Sequence, residues 1–398
     1  MININAKRFL EDLKRQGQIG WKEGKGLYRE AYTESYYEVR DFVKKKMEEA
    51  GLETRIDSVG NLFGKLEGTD PNAKTILTGS HLDSVTAGGI LDGALGVIAA
   101  LEALRTIKES GKKLKHSLEA VGFIAEEGGP LGGTFGSRAF SGQVKSLPPQ
   151  DALKAVGLTK EDIEAAKADP NKYGAYLELH VEQGPVLWRK GLSVGIPTAI
   201  VGITRYMCTV KGVSNHAGTT PMEERKDAMY DAAVIIHKWL EYMRNQKGVV
   251  CNVGYIEVEP GHPCIVPGEV KFSVEIRSDQ EEKIKDAEDK LKQIISQVND
   301  CNAVAELFIQ KPPVKLSEKI IETIEEVSKD LEIEAPRMPS WASHDASPIA
   351  HVIPTGMIFV PSINGISHQK DEFTEDEDMV RGVNVLTNAI IKLDEILD

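Results

Sequence analysis

The chain has 398 residues, 41% of them hydrophobic and 27% charged, with a formal net charge of −13 at pH 7. These values are typical of a soluble globular protein of about two or three domains, and no apolar run reaches the roughly 18 residues that a membrane span requires. Because phosphate binding needs clustered Lys and Arg, an acidic chain of this kind excludes nucleic acid as the expected partner.

The N-terminus and the cysteines both predict a cytoplasmic protein. Residues 1–8 lead directly into an amphipathic helical pattern and lack the apolar core of a signal peptide. The cysteines include no closely spaced pair, which argues against a disulfide framework and against a thiolate metal site. They are Cys208, Cys251, Cys264 and Cys301.

In the first half of the chain, short apolar runs alternate with helical patterns, which is typical of an α/β fold. Thr75–Thr78 and Leu118–Ile124 are predicted strands, and Gly93–Ile107 between them has the spacing of a buried helix. Ala175–Leu179 is a further predicted strand. Candidate polar residues follow these strands, at the edge where open α/β sheets bind their ligands.

The pattern changes between residues 200 and 311, where the predicted elements have the order β-α-β-β-α-β of a ferredoxin-like unit. The predicted strands are Ile203–Val210, Val250–Val258, Val270–Arg277 and Ala303–Ile309, and the helices are Arg225–Met243 and Glu281–Val298. The α/β pattern then returns, with Thr355–Val360 as a strand. We therefore predict a discontinuous mixed-sheet α/β domain of residues 1–199 and 312–398, with residues 200–311 inserted as a separate ferredoxin-like domain.

Imidazole and carboxylate groups recur just after predicted strands or in loops of small residues. The motifs are His81-Leu82-Asp83, Asp92-Gly93, Glu126-Glu127, His180 in Leu-His-Val-Glu-Gln-Gly, and His368 in Gly-Ile-Ser-His. These groups are ligands of zinc-like ions, and two ions roughly 3.5–4 Å apart need a shared carboxylate together with terminal ligands for each ion. The set supplies five ligands and a spare glutamate, so the sequence predicts a two-metal hydrolytic centre.

Some of these motifs also have a purely structural explanation. His81 could lie in a surface turn, and Asp92 could cap the helix that follows it. The pair Glu126-Glu127 is harder to explain in this way, because adjacent carboxylates repel each other unless cations or solvent screen them. Because the pair ends a predicted strand, alternation sends the two side chains to opposite sides, so that one can bind metal while its neighbour faces the substrate.

At these motifs the chain resembles the hydantoinase/carbamoylase amidases, a branch of the dinuclear metallo-aminoacylase and carboxypeptidase clan. Its members include N-carbamoyl-L-amino acid hydrolases, beta-ureidopropionases and allantoate amidohydrolases. The resemblance covers almost the whole chain and implies a catalytic domain interrupted by a lid and dimerisation domain. Histidine at position 180, followed by Glu-Gln-Gly-Pro, is characteristic of this branch, whereas the clan's exopeptidases usually carry a carboxylate there.

The resemblance implies a role for each motif. Asp92 would bridge two metal ions, Asp83 would support the imidazole of His81, and Glu126 would act as the general base. The terminal metal ligands would be His81, Glu127, His180 and His368. The expected cofactors are two divalent ions per subunit, with zinc first and manganese, cobalt or nickel as alternatives, since this ligand set suits all four.

The resemblance also implies that both domains hold the substrate. His216, in the motif Asn215–Met222, would come from the partner subunit of a homodimer and stabilise the oxyanion, although this composition is also typical of a polar turn. Arg277 would bind the substrate carboxylate with a bidentate geometry that Lys cannot copy, unless it is an ordinary strand-end arginine. Gln183 and His344 would hold the remainder of the substrate.

Three stretches depart from the family pattern, all near the expected substrate. Cys264 stands where the family commonly has an asparagine that contacts the substrate carboxylate. Trp341-Ala342-Ser343 replaces a Gly-Ala-Gly stretch, and residues 129–133 lack the usual bulky aromatic. None of these positions is an expected metal ligand, so the chemistry is predicted to be intact while the substrate stays open.

The predicted reaction is hydrolysis of a linear C–N amide, first of all the ureido group of an N-carbamoyl-L-amino acid, which gives the amino acid, carbon dioxide and ammonia. Allantoate or another ureido acid is the nearest alternative. An aminoacylase or dipeptidase is disfavoured by His180, and a non-catalytic binding protein on the same fold is disfavoured by the complete ligand set. The expected partners are a small ureido or amide substrate and a second copy of the chain, bound through the lid domain.

Overall fold

A computed structural model describes residues 1–298 and 300–397, which form two compact units. Unit 1 comprises Met1–Thr198 together with Lys315–Asp398, and unit 2 comprises Ala199–Val314. The predicted mixed α/β class is confirmed. Within the described ranges no helix is a candidate for a membrane crossing, because none joins sufficient length to sufficient apolarity.

The elements are numbered in chain order. The described strands are β1 Trp21–Lys22, β2 Gly26–Leu27, β3 Glu53–Ile56, β4 Leu62–Leu66, β5 Thr75–His81, β6 Leu118–Phe123, β7 Tyr173–Val181, β8 Ile196–Ile200, β9 Gly202–Lys211, β10 Asn215–His216, β11 Val250–Asn252, β12 Ile256–Glu259, β13 Ile265–Val266, β14 Glu269–Ser278, β15 Asn302–Lys311, β16 Val314–Lys315, β17 Arg337–Ser340 and β18 Thr355–Val360. The described α-helices are α1 Ala6–Gln18, α2 Glu34–Glu49, α3 Ala94–Glu109, α4 Phe135–Phe140, α5 Gln150–Ala155, α6 Lys160–Ala165, α7 Val186–Lys190, α8 Ala228–Arg244, α9 Glu281–Ser296, α10 Glu318–Asp330, α11 Ala346–Ile349 and α12 Asp376–Ile396.

The main sheet of unit 1 has six strands in the order β18-β7-β5-β6-β4-β3. The first four run parallel to one another, β4 is antiparallel to β6, and β3 is antiparallel to β4. Every residue of β6 and of β18 is buried, which explains why both strands are rich in apolar residues, although β6 also contains the buried Glu119. Because β5, β6 and β7 are parallel, their carboxyl ends meet at one edge of the sheet, where the candidate site lies.

Three strands end at positions that differ from the sequence prediction. Strands β5 and β7 extend further than predicted, so His81 and His180 lie within the strands and do not follow them. Strand β6 ends at Phe123, and Ala125 has a positive φ of 60°, so the chain turns before Glu126-Glu127. The pair therefore lies in a loop, and strand alternation does not determine where its side chains point.

Unit 2 contains an antiparallel sheet in the order β11-β14-β9-β15, with β12 also paired to β14. Helices α8 and α9 cover one face, and their buried side chains pack on alternate residues of β9 and β14, as expected of a sheet covered on one side. The single strand predicted over Val250–Val258 is divided into β11 and β12, both of which pair with β14.

Candidate metal centre

Two imidazoles at the carboxyl edge of the main sheet face one carboxylate. The Nε2 atoms of His81 and His180 lie 3.5 and 3.2 Å from Oδ1 of Asp92. Each Nδ1 is hydrogen bonded to a main-chain carbonyl, of Asp83 at 3.0 Å and of Val181 at 2.9 Å. Since a carbonyl only accepts, each Nδ1 carries the proton and each Nε2 is left as the nitrogen that can bind a metal.

A second group of possible metal ligands lies near Oδ2, the other carboxylate oxygen of Asp92. His368 Nε2 lies 3.2 Å from Asp92 Oδ2 and 3.5 Å from Glu127 Oε2. Within each of the groups His81–Asp92–His180 and Asp92–Glu127–His368, the donor atoms lie within 4.8 Å of one another. Asp92 thus stands between two groups, each of which could hold a cation.

The charges at the site favour cations. Burial alone would lower the pKa of His81, but the hydrogen bond to Asp92 and the nearby carboxylates raise it well above its usual value. The hydrogen bond to Asp92 raises the pKa of His368 to about 9, and burial raises the pKa of Glu127 to about 7, with Asp92 adding to that shift. Glu127 Oε1 is also buried without a hydrogen-bond partner among the described residues. Because metal ions replace protons on such ligands, the donor set fits a pair of divalent ions.

Glu126 lies beside these groups and belongs to neither of them. Its side chain is 8% exposed, and Oε2 lies 3.8 Å from His81 Nε2. Burial raises the pKa of this carboxyl well above its usual value, and Glu127 raises it further. A carboxyl in such a setting is suited to proton transfer.

Asp83 supports the site in a different way from that expected. Its carboxylate Oδ1 lies 3.9 Å from His81 Nδ1, and its main-chain carbonyl is the atom that holds the imidazole. The carboxylate accepts the main-chain N–H groups of Glu126 and Glu127, at 3.2 and 3.0 Å. One residue thus orients a histidine and fixes the loop that carries the glutamate pair.

Asp92 is held by Glu372, whose role the sequence did not reveal. Glu372 Oε2 accepts the main-chain N–H groups of Leu91 and Asp92, each at 3.0 Å, and Oε1 lies 2.8 Å from the hydroxyl of Ser367. Burial raises the pKa of Glu372 to about 7, and Asp92 raises it further. The sequence signal for Glu372 is that it follows His368 by a few residues and fits the family pattern there, whereas Lys370 stands where the family usually has a proline.

The suggestion that Asp92 caps the following helix is wrong. The N-cap of α3 is Gly93, with φ 64° and no side-chain cap, and the Asp92 carboxylate faces the imidazoles. A Cβ atom at Gly93 would lie 2.3–2.4 Å from ring atoms of His81. Only glycine therefore allows Asp92 and His81 to approach each other here.

Gln183 lies on the second donor group. Its amide nitrogen donates to Asp92 Oδ2 at 2.8 Å and lies 3.1 Å from His368 Nε2. The turn that carries it is fixed by Glu182, whose carboxylate accepts N–H groups from the start of α7. The side chain that the sequence assigned to substrate thus lies next to the proposed metal ligands.

His344, which we predicted to hold part of the substrate, is buried next to His180. It is 1% exposed, its ring packs edge-on against His180 with centroids 4.5 Å apart, and Nε2 lies 2.8 Å from the hydroxyl of Ser340. Burial lowers its pKa well below the usual value, and His180 lowers it further. His344 therefore packs against a proposed metal ligand.

His216 and Cys264 are neighbours within unit 2. Strand β10 pairs with β13 so that His216 is opposite Ile265, the residue after Cys264. His216 is exposed, and its Nδ1 accepts the N–H of Gly218 at 3.0 Å. Because Nδ1 accepts this hydrogen bond, Nε2 is the ring nitrogen that can donate to another group.

Arg277 lies on β14 in unit 2 and is already anchored. Its Nε donates to Glu275 Oε1 at 2.7 Å, and the same glutamate accepts Arg205 Nε at 2.5 Å. The hydrogen bond from Nε to Glu275 therefore orients the guanidinium of Arg277.

Residues 77–392 match the model of the peptidase family M20/M25/M40. An N-carbamoyl-L-amino-acid amidohydrolase of Paenarthrobacter aurescens is 36% identical over 405 residues, covering 98% of each chain. The allantoate amidohydrolase of Escherichia coli K12 is 34% identical over 409 residues, covering 99% of each. Among solved structures, a hydantoinase/carbamoylase family amidase from Burkholderia ambifaria superposes with a TM-score of 0.89 at 28% identity, covering 98% of each chain. The chain belongs to the peptidase family M20/M25/M40, in its hydantoinase/carbamoylase branch of amidohydrolases.

Proposed function

We propose that this protein hydrolyses the ureido C–N bond of an N-carbamoyl-L-amino acid. One water is consumed, and the products are the amino acid, carbon dioxide and ammonia. The observation that supports this most directly is that the Asp92 carboxylate lies between two groups of possible metal ligands. Glu126 lies beside them and belongs to neither group, so it could act as a base. Full-length relatives that bear N-carbamoyl-L-amino-acid amidohydrolase names support the substrate class.

The proposed cofactors are two divalent ions, zinc first, with manganese, cobalt or nickel as alternatives. Their ligands would be His81, Asp92, Glu127, His180 and His368. When bound, such a pair supplies Lewis acidity that polarises a carbonyl and activates water. Asp92 would serve both ions, because its two oxygens face different donor groups.

Glu126 would be the general base. Its carboxylate would accept a proton from the attacking water and deliver it to the nitrogen that leaves, which contributes about 10²–10⁴-fold to the rate. The buried position supports this role, because a raised pKa makes the carboxyl a better acceptor of that proton. The bonds from Asp83 to the main chain of the pair would keep this carboxylate in place.

Unit 2 would complete the site from a second chain, which makes the proposed active form a homodimer. His216 would donate from Nε2 to the carbonyl oxygen of the substrate as charge develops there. Arg277 would bind the substrate carboxylate, and Gln183 would contact the remaining polar groups of the substrate. The free state of all four cysteines supports a cytoplasmic location.

Allantoate or another ureido acid is the second candidate substrate. It is favoured by Cys264, where a thiol replaces the amide expected to contact an amino-acid carboxylate, and by allantoate amidohydrolases among the relatives. A thiol is a weak hydrogen-bond donor and behaves largely as a small apolar group.

A direct test measures the products that the purified protein releases after chelator treatment and reloading with one metal at a time: ammonia from ureido substrates, and free amino acid from N-carbamoyl amino acids, N-acetyl amino acids and dipeptides. We expect activity with an N-carbamoyl-L-amino acid or with allantoate, dependent on added metal, and little with N-acetyl amino acids. The chelator-treated protein without metal is the control. If N-acetyl amino acids or dipeptides are the better substrates, the ureido assignment is wrong.

A further inference from the structure

A buried arginine outside the family match contacts the loop between two proposed metal ligands. Arg29 is 0% exposed and precedes residue 77, where the match to the family begins. Burial lowers the pKa of its guanidinium to about 10, which leaves it charged at neutral pH. Burying a charge is costly unless it forms good hydrogen bonds, so its contacts indicate what it stabilises.

The guanidinium donates to main-chain carbonyls. Nε donates to Leu82 at 2.7 Å, and Nη1 donates to Gln16 at 2.9 Å and to Ile19 at 3.4 Å. The carbonyl of Arg29 in turn accepts the N–H of Ser84 at 3.1 Å. The side chain and the main chain of one residue therefore hold the segment Leu82–Ser84 from two directions.

This segment determines how the donors are oriented. Leu82 lies between His81 and Asp83, and the Asp83 carbonyl holds the His81 imidazole while its carboxylate holds Glu126 and Glu127. Rotation of the peptide between Leu82 and Asp83 would disturb all of these contacts together. The bond from Arg29 to the Leu82 carbonyl opposes that rotation directly.

The same N-terminal region also contacts the loop further along. Leu27 and Gly88 exchange two main-chain hydrogen bonds, at 2.9 and 3.0 Å, and the Gln16 amide donates to the Ile90 carbonyl at 2.8 Å. Residues 16–29 thus support the chain from Leu82 to Ile90, between His81 and Asp92. Among Gln16, Leu27 and Arg29, only Arg29 is charged, and its partners Leu82 and Ser84 are the ones nearest to His81 along the chain.

We propose that Arg29 is a positioning residue of the metal centre, which fixes the Leu82–Ser84 segment so that His81 and the glutamate pair keep their orientation. The inference rests on the proposed function, because it assigns Arg29 to that centre. Arg29 touches neither metal nor substrate in this account, and it acts through the main chain. Partners of this kind typically contribute 10–100-fold to metal affinity.

The test compares Arg29→Met with Arg105→Met in metal-free full-length protein. Arg105 is a matched control, because it is also a buried arginine of unit 1, bonded to Asp12 at 2.6 Å and to the Lys46 carbonyl at 3.1 Å. Co²⁺ affinity is measured by competition with a chelator, together with the visible Co²⁺ spectrum and Tm. We expect both variants to lose Tm, but only Arg29→Met to bind Co²⁺ about tenfold or more weakly and to change the spectrum.

If Arg29→Met does not fold, Arg29→Lys replaces it, since lysine keeps the charge but cannot reproduce the planar fork. Its Co²⁺ affinity should also fall clearly below that of Arg105→Met. An Arg29 variant that binds Co²⁺ within twofold of the Arg105 control, with an unchanged spectrum, would show that Arg29 is merely structural. Wild-type protein that binds no Co²⁺ would instead contradict the proposed function, so the two failures are distinguishable.

Discussion

The two adjacent glutamates at the centre have different surroundings, although they share a supporting residue. Glu127 lies 3.5 Å from His368 in a donor group, whereas Glu126 lies 3.8 Å from His81 and belongs to neither group. Both main-chain N–H groups donate to Asp83, which holds the loop in a single arrangement. The pair can therefore divide metal binding from proton transfer, and substitution of each residue should have a different effect.

Glu126→Gln should keep both metal ions and lower kcat by about 10²-fold or more, because the amide keeps the shape but cannot accept the proton. Glu127→Gln should lose metal, because it removes a charged donor from the second group. Metal content by elemental analysis and kcat on the best substrate would separate the two variants. If the two phenotypes are exchanged, the proposed roles must be reversed.

Cys264→Asn tests the substrate at the position that departs from the family. An amide can donate to a carboxylate, so the variant should raise kcat/KM for N-carbamoyl-L-amino acids roughly tenfold, equivalent to about 1.4 kcal/mol. The exposed Cys264 side chain makes a folding defect a poor explanation for any change. A wild-type enzyme that already hydrolyses these substrates well, with no gain in the variant, would show that Cys264 does not restrict the substrate.

At the scale of elements, the N-cap residue of α3 determines how closely Asp92 and His81 can approach each other. Gly93 begins the helix with a positive φ, and the space a side chain would need is occupied by the His81 ring. Gly111, just after the other end of α3, also has a positive φ of 73°, but nothing lies within 4 Å of its missing Cβ. Both glycines therefore have a backbone conformation that would strain any other residue. Only at Gly93 would an added side chain also meet the His81 ring.

Gly93→Ala and Gly111→Ala should both destabilise the protein, by about 1–3 kcal/mol each, because alanine is strained at these backbone angles. Only Gly93→Ala should also weaken metal binding, since the new methyl group displaces His81. Urea denaturation and metal titration would measure the two effects separately. Equal metal affinity in both variants would mean that the His81–Asp92 approach does not depend on this glycine.

The elements that carry the donors could be predicted because their patterns are local. The buried strand Thr355–Val360 agrees with the sequence at both ends, since a mostly apolar run bounded by Pro354 and Pro361 defines it. The contacts that hold the donors are not local: Glu372 bonds to the main chain of Asp92 from 280 residues away, and Arg29 bonds to Leu82 from 53 residues away. Such contacts leave no periodicity in the sequence, and the burial of His344 was missed for the same reason.

At the scale of the whole molecule, the chain divides its proposed functions between two units. Unit 1 contains both donor groups and Glu126, while His216 and Arg277 belong to unit 2. In this proposal the metal ligands lie at the edge of the main sheet of unit 1, and unit 2 contributes His216 and Arg277 to substrate binding. In the proposed dimer, the unit 2 residues come from the partner chain, so activity would require two chains.

Mixing inactive Glu126→Gln chains with inactive His216→Ala chains should restore part of the activity. In each hybrid dimer one site would combine an intact Glu126 with an intact His216 from the partner chain. Native mass spectrometry would verify the heterodimers, and each variant mixed with itself is the control. No recovery in verified heterodimers would place His216 in the site of its own chain or outside the site.

The most direct test of the central claim is the number of zinc ions bound per chain after equilibrium dialysis of metal-free protein, measured by elemental analysis. The account predicts two ions in the wild type, because Asp92 presents one oxygen to each donor group. It predicts fewer than one ion in Asp92→Ala at the same free zinc concentration, since both groups lose their shared ligand. One ion or none in the wild type, or two retained in Asp92→Ala, would contradict a centre built on a bridging Asp92.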